Sequence, residues 1–193
     1  MNTNYPETMS HTDSTTATTF LGLSPKALHV LRSSLERDHG LSTAAYLQEA
    51  GFAAGEETFQ AFAEWLEATR QVRPEDLDAE FLGEVASAFF QEHGWGSIAV
   101  NPLDGGILAI DSTDWNEASP DAGAQYPSCH LSSGLLADFF GRLAGETAAV
   151  MEVECRSRGD DMCRFLVGSP DTLADVYERM SGGLSYLEAS RAS

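Results

Sequence analysis

All three cysteines of this chain fall in its second half, at Cys129, Cys155 and Cys163, and the second of them directly follows Glu152-Val153-Glu154. No other feature constrains the fold as much. Three thiolates and a carboxylate gathered in space would form a closed tetrahedral cage for zinc, whose borderline softness suits sulfur and whose filled d-shell imposes no geometry. The competing reading is core packing, because free cysteines are among the most often buried residues. Residue spacing leaves both open.

Cys155 and Cys163 flank a segment with turn chemistry, Gly159-Asp160-Asp161, between the apolar runs Ala148 to Met151 and Phe165 to Val167. That pattern predicts a β-hairpin holding the two thiols across from each other. Cys129 stands just before an amphipathic stretch, Leu131, Leu135, Phe139 and Leu143, closed by Gly145. A shared metal would pin this helix to the hairpin. Arg142, Arg156, Arg158 and Arg164 lie near the three cysteines in an otherwise acidic chain, where their guanidinium groups would stabilise a net-negative site.

Residues 75 to 181 resemble the 4-vinyl reductase domain family. The resemblance is carried by Gly94-Trp95-Gly96 after a helix, by Cys129 with Gly134 and Gly145, and by Glu152-x-x-Cys155, Gly159-Asp160 and Cys163-Arg164-Phe165. It implies an α/β fold shared with subunits of the TRAPP vesicle-tethering complex. It also implies a structural Zn2+ held by Cys129, Glu152, Cys155 and Cys163, with Glu154 the second choice of carboxylate. Members include proteins associated with bacteriochlorophyll synthesis and sensor domains of aromatic-responsive transcription activators, in which the zinc unit lies close to a ligand pocket. A homodimer is the state the resemblance implies.

The first half reads as helices. Ser24-Pro25 is an N-cap followed by proline at the first helical position, with Leu28, Leu31 and Leu35 along one face up to His39-Gly40. A second stripe runs through Phe59, Phe62, Ala63 and Leu66, and a third long helix is expected to open at Pro74 and continue through Leu77, Phe81, Val85 and Phe89 to Gly94. Strands follow at Ser97 to Val100 and Ile107 to Asp111, and a last helix runs from Ser169-Pro170 to Gly182-Gly183. The expected class is α+β, an antiparallel sheet of two hairpins covered by helices. The domain reading is a disordered tail over 1–19, a helical region over 20–73, the zinc-binding domain over 74–183 and a C-terminal tail over 184–193.

Charge and hydropathy exclude several partners. With 30 acidic against 11 basic side chains the formal charge is −19, which repels phosphate backbones and anionic lipid, so direct nucleic-acid or membrane binding is not expected. Residues 1–19 lack the charged and apolar regions of a signal peptide, and no stretch approaches the roughly 18 apolar residues of a membrane span. A cytoplasmic location with reduced thiols is the expectation.

Gly94-Trp95-Gly96-Ser97-Ile98-Ala99 fits the dinucleotide-binding expression G-x-G-x-x-(G/A), but helix precedes and strand follows, the reverse of what pyrophosphate binding needs. No hydride source and no catalytic constellation is legible, and a closed four-ligand metal leaves no position for activating water. Trp95, Trp115, Tyr126, His130 and Phe139 are the expected lining of a ligand pocket. The function expected is a zinc-stabilised domain that binds a small hydrophobic, aromatic or tetrapyrrole molecule as sensor or carrier, with a separate regulatory protein as a candidate partner. The alternatives are an enzyme or accessory factor of bacteriochlorophyll synthesis, and an interaction module without ligand.

Overall fold

The computed structural model describes residues 22–191, so the expected tail over 1–19 lies outside the described residues. Three helices come first: α1 (Pro25–His39), α2 (Ser42–Ala53) and α3 (Gly55–Arg70). Ser24 caps α1 by accepting the Ala27 N–H at 3.2 Å, with proline at the first turn. Next come α4 (Leu82–Glu92), strands β1 (Ala99–Pro102) and β2 (Leu108–Ser112), helix α5 (His130–Ala144), and strands β3 (Ala149–Glu154) and β4 (Cys163–Gly168). Helices α6 (Pro170–Ser181) and α7 (Tyr186–Arg191) end the described chain.

The strands form one antiparallel sheet in the order β1-β2-β4-β3. Two hairpins are thus joined through their second strands, which makes the α+β sheet expected from the sequence. Alternation sorts the side chains into two cores. Ile110, Phe165 and Val167 face a cluster that includes Phe62, Phe89, Phe90, Trp115 and Phe139, contributed by α3, α4, α5 and the loop after β2. Ala109, Val153 and Leu166 point the other way, against Leu173 and Val176 of α6 and Ala189 of α7.

Helix α5 is buried along most of its length and packs hardest on α2. The approach is close enough to require glycine on both sides: a Cβ on Gly51 would stand 1.9 Å from the Leu131 carbonyl oxygen, and one on Gly134 would stand 1.9 Å from that of Gln48.

Three local readings change. The long helix expected from Pro74 breaks up: Pro74–Asp76 is one 3-10 turn, Leu77 is extended, and the α-helix starts only at Leu82. Asp78 explains the break, since its carboxylate accepts the Glu80 N–H at 3.1 Å and so competes with helical bonding. Helix α2 leaves little trace in the sequence pattern, because its residues are weakly amphipathic and include Gly51. The segment read as a C-terminal tail contains α7, with Ala189 and Ser190 buried.

Candidate metal centre and apolar cavity

Helix α5 begins immediately after Cys129, so that cysteine is delivered at a fixed end of the helix. Its backbone N–H donates to Glu152 Oε2 at 2.8 Å, tying the helix start to β3. The helix end is built by a second carboxylate. Glu117, 3% exposed, accepts the backbone N–H groups of Leu131 at 3.1 Å and Ser132 at 2.7 Å, as well as the Ser132 hydroxyl. A carboxylate there satisfies donors that a helix start leaves open and complements its dipole. Burial nevertheless raises the pKa of Glu117, against the lowering effect of these hydrogen bonds and of Arg32. Arg32 of α1 is also buried, donating to the carbonyls of Ser128 at 3.1 Å and Glu117 at 3.4 Å, so α1 braces the same loop.

The other ligands come from the β3–β4 hairpin, and their placement depends on a bulge. Glu152 pairs with Phe165, but Glu154 pairs with Arg164, so two steps along β3 match one along β4. Glu152 therefore shares the inner face with Phe165. Glu154 lies on the outer face, bonded to the Tyr186 hydroxyl and 3.7 Å from the Arg164 guanidinium. Beyond the bulge Cys155 turns inward again. Its N–H donates to Asp160 at 2.7 Å, and Asp160 also accepts from Arg158 at 2.8 Å, which fixes the turn.

Cys129, Glu152, Cys155 and Cys163 thereby converge, with one ligand atom from each lying within 4.8 Å of all the others; they form a group that could hold a metal ion. The Cys129 Sγ is 3.8 Å from that of Cys155 and 4.0 Å from that of Cys163, and all three cysteines are free and buried. Glu152 Oε1 is buried without a hydrogen-bond partner, a costly state for a carboxylate oxygen and one that a cation would relieve. Burial, with the Cys155 thiol, pushes Glu152 up to about 9. Hydrogen bonds from Cys129 and Cys163 hold Cys155 below the ordinary thiol value, while contacts with Cys155 and Cys163, together with burial, drive Cys129 well above it.

The arginines expected around the cage serve other carboxylates. Arg142 pairs with Asp138 and Glu56, Arg158 with Asp160, and Arg164 with Asp111 at 2.6 Å, the last on the outer face of the sheet.

A cavity of about 390 Å3 opens at the far end of the same elements. Leu77 and Ala79 from the broken segment, Leu82 of α4, Leu108 of β2, Phe140 and Leu143 of α5 and Val167 of β4 line it, with Glu75, Glu146, Thr147 and Ser169 as its polar members. Along α5 the cage stands at the helix start and the cavity at the last turn. Along β4 the cage stands at Cys163 and the cavity at Val167 and Gly168.

The five residues expected in a ligand pocket are placed elsewhere; none lines this cavity. Trp115 and Phe139 are fully buried in the aromatic core, where Trp115 stacks on Trp95 at 5.6 Å and donates to the Ser132 hydroxyl at 2.7 Å. Tyr126 is 72% exposed, and His130 is half-buried beside the cage, its pKa lowered by burial and by Arg32. Trp115 and Phe139 go into the core because large rings fill the space between a sheet and its helices. The true lining is mostly aliphatic and carries no local signature, apart from the Pro74 and Asp78 punctuation that breaks the helix.

Among the described residues no helix is long and apolar enough to cross a membrane.

Known proteins share this architecture. The sensory domain of the transcription activator PoxR, solved with phenol, superposes with a TM-score of 0.63 at 19% identity over 84% of this chain and 82% of that one. A trafficking protein particle complex subunit 3 from Naegleria fowleri, covalently bound to palmitic acid, gives 0.53 at 13% identity over 74% and 90%. An uncharacterized protein of Methanocaldococcus jannaschii is 29% identical over 79 residues, which make up 41% of this chain and 42% of that relative's length. Residues 115–169 match the family model of the 4-vinyl reductase domain, and through this stretch, which contains all four converging ligands, the chain belongs to that family.

Proposed function

We propose that this chain is a zinc-stabilised binding domain for a small apolar or aromatic molecule, acting as a sensor or carrier. The observation that carries the reading is the 390 Å3 apolar cavity bounded by the same helix and hairpin that the four-ligand group fastens at the other end. A fold shared with a phenol-binding sensory domain supports it.

Zinc fits the donor set. Metal–sulfur bonds of about 2.3 Å in a tetrahedron give sulfur–sulfur edges of about 3.8 Å, against 3.8 and 4.0 Å here. Glu152 Oε1, orphaned and buried, completes the set. Four protein ligands make the role structural, because folding gathers groups that the unfolded chain disperses.

The cavity also bears on ligand size. Small-molecule sites run from about 300 to 1,000 Å3, and a value near the bottom of that range favours a single ring or short chain over a tetrapyrrole.

The test is direct. Protein purified without chelator should contain about one zinc per chain, as the donor set of a single structural site requires. Melting temperature should rise with the concentration of at least one compound from a panel of phenols, alkylbenzenes and short aliphatics. A folded, metal-free protein would refute the zinc assignment, and uniform silence across the panel would refute the binding assignment.

A further inference from the structure

Two carboxylates and no cation stand among the residues around the cavity. Its walls are hydrocarbon, and its polar members are Glu75, Glu146, Thr147 and Ser169. Ser169 is already committed: its hydroxyl accepts the Thr172 N–H at 3.1 Å and lies 2.8 Å from the Thr172 hydroxyl, capping α6. Glu75 is exposed and keeps a salt bridge to Arg73 at 3.0 Å, whose own charge is shared with Asp76. Glu146 is exposed at the turn between α5 and β3. The nearby Arg142 is occupied by Asp138 and Glu56. Among the described residues no histidine, tyrosine, tryptophan, asparagine, glutamine, lysine or arginine lines the cavity.

This composition sorts ligands by their polar end. A carboxylate would leave water for a site that offers no basic partner and would face two like charges, in a chain whose formal charge is already −19. A neutral hydroxyl loses less on leaving water. An ammonium group at the rim would keep its hydration and gain attraction from Glu75 and Glu146 while its hydrocarbon body fills the interior.

We propose that the cavity selects apolar amines, accepts their neutral counterparts and rejects carboxylates of the same shape, with Glu75 and Glu146 as the discriminating residues. The proposal rests on the binding reading above and adds the ligand's charge class.

The experiment uses three isosteric probes, 2-phenylethylamine, 2-phenylethanol and phenylacetate, titrated calorimetrically into the zinc-loaded full chain. The amine should bind up to about fivefold more tightly than the alcohol, the scale of exposed ion pairs. Phenylacetate should bind at least about tenfold more weakly than the alcohol, since an ionised carboxylate is desolvated without a partner. The double variant Glu75→Gln/Glu146→Gln should erase the amine's advantage and leave the alcohol's affinity unchanged. Salt at about 0.5 M should do the same, by screening. Equal binding of alcohol and phenylacetate, or an amine advantage that survives the double variant, overturns the charge selection while leaving the cavity a binding site. Binding of none of the three, together with silence across the wider panel, removes the binding reading itself.

Discussion

Glu152 and Glu154 are two residues apart on one strand and yet face opposite sides of the sheet, because the β-bulge between them adds a residue that β4 does not match. Glu152 reaches the three thiols, and Glu154 holds the Tyr186 hydroxyl of α7. The two glutamates should therefore separate cleanly on substitution. Glu152→Gln is expected to weaken metal affinity by more than about 100-fold, beyond what loss of a supporting contact costs. Glu154→Gln should retain full metal content and change stability by about 1 kcal/mol at most. Competition with a chromogenic chelator reads both.

Metal removal should act locally before it acts globally. A strong chelator is expected to lower the melting temperature and to raise amide exchange first in residues 128–133 and 152–163, where the ligands reside, leaving α3 and α4 protected. Hydrogen exchange with mass spectrometry distinguishes this from uniform loosening. Acidification should release the metal too, since protons compete with it for the thiolates.

The α2–α5 contact leaves no room for a methyl group. Gly134→Ala places a Cβ against the Gln48 carbonyl and should cost about 3 kcal/mol or more, as overpacking of a rigid interface does. Gly22→Ala meets nothing within 4 Å and should stay within about 0.5 kcal/mol of the parent. Urea denaturation midpoints make the comparison.

Acid should weaken the join between the α4–β1 loop and the end of β2. Asp114 accepts the Ser97 N–H at 2.9 Å, the Ser97 hydroxyl at 2.8 Å and the Ser112 hydroxyl at 3.2 Å. Burial pushes its pKa up, but these hydrogen bonds outweigh burial and hold it below the usual aspartate value. The stabilisation is therefore complete above the unfolded value of about 3.9 and is lost as pH falls through the lower, folded value. Asp114→Asn should flatten the dependence of melting temperature on pH in that acid range.

Filling the cavity tests it without touching the cage. Ala148→Trp introduces a ring among the lining residues and should abolish ligand-induced stabilisation while zinc content stays at the parent level. Thermal shift and metal analysis on the same preparation check both.

How much is legible from the residues differs between the two sites. The cage ligands can be named because cysteines are scarce and the pattern spans a hairpin and a helix start, both marked by local chemistry. Spacing alone argues against Glu152 and Cys155 sharing a face, since positions three apart on a regular strand point oppositely. The bulge at Val153 resolves this, and no propensity announces it. The cavity is less accessible still. Leu77, Leu108 and Val167 look like any core residues, and what leaves them around a cavity is the broken helix after Pro74, which apolar periodicity reads as continuous. The aromatic residues favoured for a pocket are drawn into the core by the same burial drive that makes them attractive to ligands.

Helix α5 and the β3–β4 hairpin are riveted at one tip, by the cage and by the glycine-tight seam with α2, and part company at the other. They are built like tweezers. A guest entering between the free tips need spread only the last turn of the helix and the strand ends, while the joint keeps its geometry; the span of the jaws is then set by the length of α5 rather than by the metal.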